Sequence, residues 1–134
     1  MAKMTNRKKL GERDLQRVLR ADIGQLEAGL TIADGGKEQV INYGGKSNPV
    51  RIDITAKDRK GDTVVIELKA GKVGRHAVGQ ILGYMGVLMR RKKRVRGILV
   101  AKEFSPQGSA AARPVPALQL REHGSLPWKL LTRV

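Results

Sequence analysis

The chain contains no cysteine, so disulfides and thiolate metal sites are excluded. Histidine is almost as scarce, and His76 and His123 lie too far apart to suggest a zinc site. A bound metal must then rest on carboxylates, which favours a hard, oxygen-seeking cation such as Mg²⁺ or Mn²⁺. No apolar run approaches membrane-spanning length, and the N-terminus (MAKMTNRKKL) lacks the apolar centre of a signal peptide. Together with the missing cysteines, this fits a cytoplasmic protein. Aromatic residues are only 3% of the chain, too few for the stacking platforms that single-strand binders use, which points towards backbone contacts on duplex or branched structures. Acids are also outnumbered: 27 Lys and Arg against 12 Asp and Glu leave a formal charge of +15. An excess of that size in 134 residues implies a polyanionic partner, because neutralising phosphates releases counterions.

What is present is patterned as one domain from residue 11 to 134, preceded by a basic arm over residues 1–10 that carries Lys8 and Lys9. From Gly11 to Leu30 the residues Leu15, Val18, Leu19, Ile23, Leu26 and Leu30 recur at helical spacing. Gly24 breaks the run, which predicts a helix over about Glu12–Ala21 and a short turn after Asp22. A strand is expected over Glu38–Tyr43, between two glycine pairs. Lys72 to about Arg91 reads as a second helix, whose Gly79, Gly83 and Gly86 call for a packing reason such as close approach to a sheet. Val95–Lys102 is nearly all apolar, as a strand covered on both faces requires. Residues 104–116 read as loop, Ala117–Arg121 as a short strand, and the amphipathic tail around Trp128–Val134 stays unassigned.

The central stretch is Arg51–Lys69. Val50, Ile52 and Ile54 alternate with Arg51, Asp53 and Thr55; Val64, Ile66 and Leu68 alternate with Val65, Glu67 and Lys69. Alternation of this kind predicts a β-hairpin with one apolar face and one face carrying Asp53, Glu67 and Lys69. The connection Asp58–Asp62 suits a three-residue loop with Gly61 in the left-handed conformation. Counting back from that loop sets Asp53 opposite Glu67. Like charges so opposed are destabilising unless a cation lies between them, so the arrangement argues for function. Phosphodiester hydrolysis needs an activated water and neutralised charge; a carboxylate-held metal and a nearby lysine supply both.

The segments ERDLQRVL, LEAGL, RIDITAKDRKGDTVVIELKAG, HAVGQILGYM and VRGILVA resemble the PD-(D/E)xK, or restriction-endonuclease-like, nuclease superfamily. Within it they are most similar to the catalytic domain of the NucS/EndoMS mismatch endonucleases, over roughly residues 12–101. The resemblance implies an α/β fold with an αβββαβ core, a mixed central sheet and flanking helices. It implies a Mg²⁺-dependent DNA endonuclease in which Asp53 and Glu67 hold the metal and Lys69 is the catalytic lysine. Gln80 and Tyr84 would match the helix motif beside the site, and Glu12, with Glu27 second, would supply the first-helix acid. The DNA-facing cations expected are Lys8, Lys9, Arg51, Lys72, Arg75, Arg90, Arg91, Lys92, Lys93, Arg94 and Arg96. Six of these lie in RRKKRVR, more than a helix C-terminus needs.

Double-strand cutting requires two sites and so a homodimer, with a separate specificity subunit as a further expected partner. Family members carry an N-terminal DNA-binding and dimerisation domain that this sequence does not contain, so mismatch recognition is not carried over. Asn48-Pro49-Val50 also stands where the family tends to put a glycine before the arginine. Two other readings are a catalytically idle nucleic-acid-binding protein of the same fold and a small basic structural protein. The acid–acid–lysine set weighs against both.

Overall fold

The computed structural model describes residues 11–126; Lys8, Lys9 and the Trp128–Val134 tail lie outside them. Helix α1 (Glu12–Ala21) and a 3₁₀ turn (Ile23–Gln25) fall where the apolar spacing predicts. Short strands β1 (Thr31–Ile32) and β2 (Gln39–Ile41) follow. The central stretch then forms β3 (Val50–Ile52), β4 (Ile54–Lys57) and β5 (Thr63–Leu68). After β6 (Lys72–Val73) come α2 (Arg75–Leu88) and β7 (Val95–Ala101). The described part ends with β8 (Glu103–Phe104), α3 (Pro106–Ala112), β9 (Leu118–Glu122) and a 3₁₀ turn (His123–Ser125).

The main sheet runs β1-β4-β5-β7-β9. β4 runs antiparallel to both of its neighbours, β1 and β5, while β5, β7 and β9 run parallel. Strand alternation decides which helix each side chain meets. Val64, Ile66 and Leu68 pack with Leu15, Leu19 and Leu26 on the α1 side. Val65 and Leu99 pack with Ile81, Tyr84 and Met85 of α2 on the other side. Each large aliphatic side chain fully buried in this way contributes about 1.5–3 kcal/mol. Both faces of β5 are therefore covered, and the face expected to be polar is roofed by α2. Gly97 of β7 permits the close approach of α2, since a Cβ there would meet Met85 Sδ at 2.7 Å and Ile81 Cδ1 at 3.2 Å.

Several sequence expectations change. The expected continuous strand through Asp53 is broken there. β3 leaves the main sheet to pair with β2 (Val40 opposite Arg51), so Ile52 joins the α2-side core while Ile54 joins the α1-side core. The second helix starts at Arg75, not Lys72, because Lys72 and Val73 pair in parallel with β8 and Gly74 caps the helix. Gly79 and Gly86 have nothing within 4 Å of a would-be Cβ, so the expected packing reason fails for them. Gly83 faces the Tyr43 hydroxyl at 2.9 Å, not the sheet. Residues 106–112 are helical rather than loop: Ser105 Oγ accepts from the Gly108 amide at 3.0 Å, with Pro106 in the first turn. A proline there loses no helical hydrogen bond, since that amide has no partner in any helix.

Candidate active site

The hairpin loop forms as counted. The Asp58 amide donates to the Asp62 carbonyl at 3.1 Å, and Gly61 has φ +83°, in the left-handed region. The ladder pairs Lys57 with Thr63 and Ile54 with Ile66, and then stops. Beyond it, side chains take over from the backbone. The Asp53 amide donates to Glu67 Oε1 at 2.9 Å, and the Leu68 amide donates to Asp53 Oδ2 at 2.8 Å. Each carboxylate thus closes the strand end that carries the other, which puts the pair in contact at the edge of the α2-side core.

Burial dominates their electrostatics. Glu67 is 3% exposed. Burial pushes its carboxyl up, and the neighbouring Asp53 charge adds to this; the Asp53 amide and the Lys69 charge offset it only in part, leaving it at about 8. Asp53 is also raised, first by burial and then by the charges of Glu38 and Glu12, against the Leu68 amide and Lys69. Lys69 is half-buried just past β5, with its amide on the Val100 carbonyl at 2.8 Å. Tyr84, buried on α2, is pushed up to about 12 by burial and by the Glu67 charge, while Gln80, one turn earlier, pulls the hydroxyl the other way. Tyr43 stands beside it, ring centroids 6.5 Å apart. Asp53, Glu67, Lys69, Gln80 and Tyr84 are therefore brought together.

Glu12 stays exposed at the start of α1, lining a cavity of about 120 Å³ with Arg13, Gln16, Glu38 and Asp53. Among the described residues no group of three or more Asp, Glu, His or Cys is arranged to hold a metal ion. The expected set of Glu12, Asp53 and Glu67 is thus assembled only as far as the Asp53–Glu67 pair. That pair suits a hard divalent cation: one buried and one half-buried carboxylate in contact, each disfavouring the other's charge. Glu38 is an acid the sequence reading missed, and no spacing signal marks it, because it lies just before β2, a strand of another sheet from β5. Glu27, the second candidate, forms an ion pair with Arg96 instead.

The cations divide. Arg51 is exposed on β3, Arg75 is exposed in the first turn of α2, and Lys72 lies 3.9 Å from Glu103. Arg90 donates to the Tyr43 carbonyl at 2.5 Å and tethers the loop after β2. Arg91 and Lys92 line a cavity of about 430 Å³ between β2 and the end of α2. Lys92, Lys93 and Arg94 line another, of about 320 Å³, with Lys57 and Lys60. Arg96 is committed to Glu27 and to Asp58 at 3.0 Å. The Arg94 carbonyl accepts from the Thr63 amide, so this basic loop abuts the start of β5, while Glu67 stands towards its far end. Four residue steps along the strand separate Thr63 from Glu67, roughly 13 Å.

A family profile described as the endonuclease NucS C-terminal domain matches residues 11–118. No curated protein matches the sequence. Among solved structures the chain is similar to a repair endonuclease from Pyrococcus abyssi (24% identity, TM-score 0.65, covering 84% of this chain and 46% of that one). It is similar to EndoMS in its apo form (23%, TM-score 0.66, 84% and 46%) and to EndoMS in a complex with double-stranded DNA (23%, TM-score 0.63, 84% and 44%). At these identities the likeness is one of fold, and the chain spans less than half the length of each of the three.

Proposed function

We propose, since the chain belongs to the endonuclease NucS C-terminal domain family, that it is a Mg²⁺- or Mn²⁺-dependent endonuclease hydrolysing phosphodiester bonds in DNA. The observation that carries this reading is the pairing of buried Glu67 with half-buried Asp53, each carboxylate hydrogen-bonded to the other's strand. Such a pair is costly without a cation and useful with one. A divalent cation held by Asp53 and Glu67 would supply Lewis acidity, acidifying water and neutralising phosphate charge. Glu12, exposed at the start of α1 and lining the same cavity as Asp53, would add a third acid. Lys69, whose charge favours the ionised form of both carboxylates, is suited to orient the attacking water or to balance the developing phosphate charge. Gln80 and Tyr84 border the pair on the α2 side; with its hydroxyl held protonated, Tyr84 is suited to donate a hydrogen bond to a phosphate oxygen. A homodimer would give two such sites, one per strand, and a separate subunit would supply specificity.

The test is cleavage of a panel of duplex, mismatched, flapped, branched and single-stranded DNA with Mg²⁺. The expected result is cutting of at least one substrate, abolished by EDTA and by Glu67→Ala in a protein that still folds. Activity that persists in EDTA, or in Glu67→Ala, overturns the mechanism. Metal-independent binding with no cleavage of any substrate would identify an idle member of the fold.

A further inference from the structure

The bend at Asp53 turns its carbonyl out of the β4–β5 ladder, and α1 receives it. Gln16 Nε2 and Arg20 Nη2 each donate to that carbonyl at 2.8 Å; four residues apart, they share one face of the helix. Arg20 is itself gripped by Asp34, nitrogen to oxygen at 2.8 Å on both branches. Asp34 Oδ2 then accepts from the Thr55 amide at 3.0 Å. The result is a closed clasp, Asp53 carbonyl to Arg20 to Asp34 to Thr55 amide, that fixes the peptide units on either side of Ile54. Gln16 also donates to Glu38 at 3.1 Å, which ties a further acid to the same support.

The clasp is desolvated: the Asp34 side chain is 1% exposed and that of Arg20 15%. A buried ion pair is weak evidence for stability, since apolar groups of similar volume often do as well or better. Here both partners spend donors and acceptors on the backbone that flanks one functional carboxylate. A planar guanidinium can span two acceptors with a fixed fork, which an ammonium cannot.

We propose that Arg20, Asp34 and Gln16 are positioning residues that hold the bend at Asp53, and with it the Asp53 carboxylate, in the geometry that receives a divalent cation. They act through the backbone carbonyl and amide on either side of Ile54. The inference rests on the reading of Asp53 and Glu67 as the cation site. Partners one shell away from metal ligands typically change metal affinity or activity by about 10–100-fold when altered.

The experiment measures Mn²⁺ affinity by calorimetry, the melting temperature, and kcat and KM on a cleaved DNA. The proteins are the parent chain, Arg20→Lys and Gln16→Met. Arg20→Lys keeps the charge facing Asp34 but cannot bridge to the Asp53 carbonyl as well. It is expected to bind Mn²⁺ about 10–100-fold more weakly and to lose kcat by a similar factor, with KM little changed. Gln16→Met removes the second, half-exposed donor to the Asp53 carbonyl together with its hydrogen bond to Glu38. It should weaken Mn²⁺ binding by about 10-fold, the low end of that range, and keeps the question answerable should Arg20→Lys not fold. Mn²⁺ affinity within about twofold of the parent in the folded variants, whatever their melting temperatures, overturns the inference; such a change is well below what a positioning shell produces. A parent chain that binds Mn²⁺ yet cuts nothing refutes the proposed function, and the affinity ratios alone then decide the clasp. A parent chain that binds no Mn²⁺ refutes both.

Discussion

Glu67 is buried among apolar side chains, against another acid, on the most enclosed strand of the sheet. Its carboxyl is raised from an ordinary 4.5 to about 8, by burial first and by Asp53 second. In the metal-free protein the unfolded chain therefore ionises first as the pH rises. The stability present below about 4.5 is lost as the pH climbs through about 8. Glu67→Gln removes that titration. In EDTA, the melting temperature of the parent minus that of Glu67→Gln should fall steadily between pH 4.5 and pH 8; a difference that stays flat over that window would show that Glu67 does not hold its proton. Adding Mn²⁺ at pH 8 should raise the parent's melting temperature and leave that of Glu67→Gln nearly unchanged. The sequence made Asp53, Glu67 and Lys69 legible because strand alternation is local, and the turn chemistry of Gly61 fixes the register. It did not make Glu38, Arg20 or Asp34 legible. The partners that tie them to the site lie 14 or more residues away, beyond the reach of any local pattern.

At the scale of elements, the apolar spacing of α1 and the nearly continuous apolar run of β7 set their boundaries to within a residue. The helix that spacing missed is α3, hidden by a proline and a glycine that read as loop. Its start depends on Ser105, whose hydroxyl satisfies the Gly108 amide. Ser105→Ala should cost about 1 kcal/mol in urea unfolding and leave DNA cleavage unchanged, since α3 packs mainly against α2 and β9. The α2–sheet contact is less forgiving. Gly97→Val would drive its side chain into Met85, Ile81 and Leu118 and should cost about 1–3 kcal/mol, with a matching drop in melting temperature. The breaking of the central stretch at Asp53 was also illegible. Alternation across Ile52 and Ile54 is intact in the sequence; only the pairing of β3 with β2 decides that the two point to opposite faces.

For the molecule as a whole, the charge of +15 is distributed with purpose in the proposed complex. Lys57, Lys60, Lys92, Lys93 and Arg94 gather at the hairpin end of the sheet, about 13 Å along β5 from the acidic pair, a separation one duplex can bridge. Arg96, although part of the same basic run, is neutralised by Glu27 and Asp58. Replacing Lys92 and Lys93 by alanine should weaken duplex binding and reduce the slope of log affinity against log salt by about 0.9 for each phosphate no longer neutralised. Arg96→Ala should instead lower the melting temperature and leave that slope unchanged. Equal slopes in all three proteins would detach this loop from the DNA. The sequence by itself determined the bounds of α1 and β7, the hairpin register, the placing of Asp53 opposite Glu67 and the large positive charge. Each of these follows from spacing along the chain or from composition, which need no knowledge of what folds against what. Only the tertiary structure decided that the polar face of the hairpin is roofed by α2, that Asp53 sits at a bend clasped by α1, and that Arg96 is withdrawn from the basic surface. Burial and ion pairing depend on which distant residues meet, and that is settled by how the helices and the β2–β3 pair pack against the sheet.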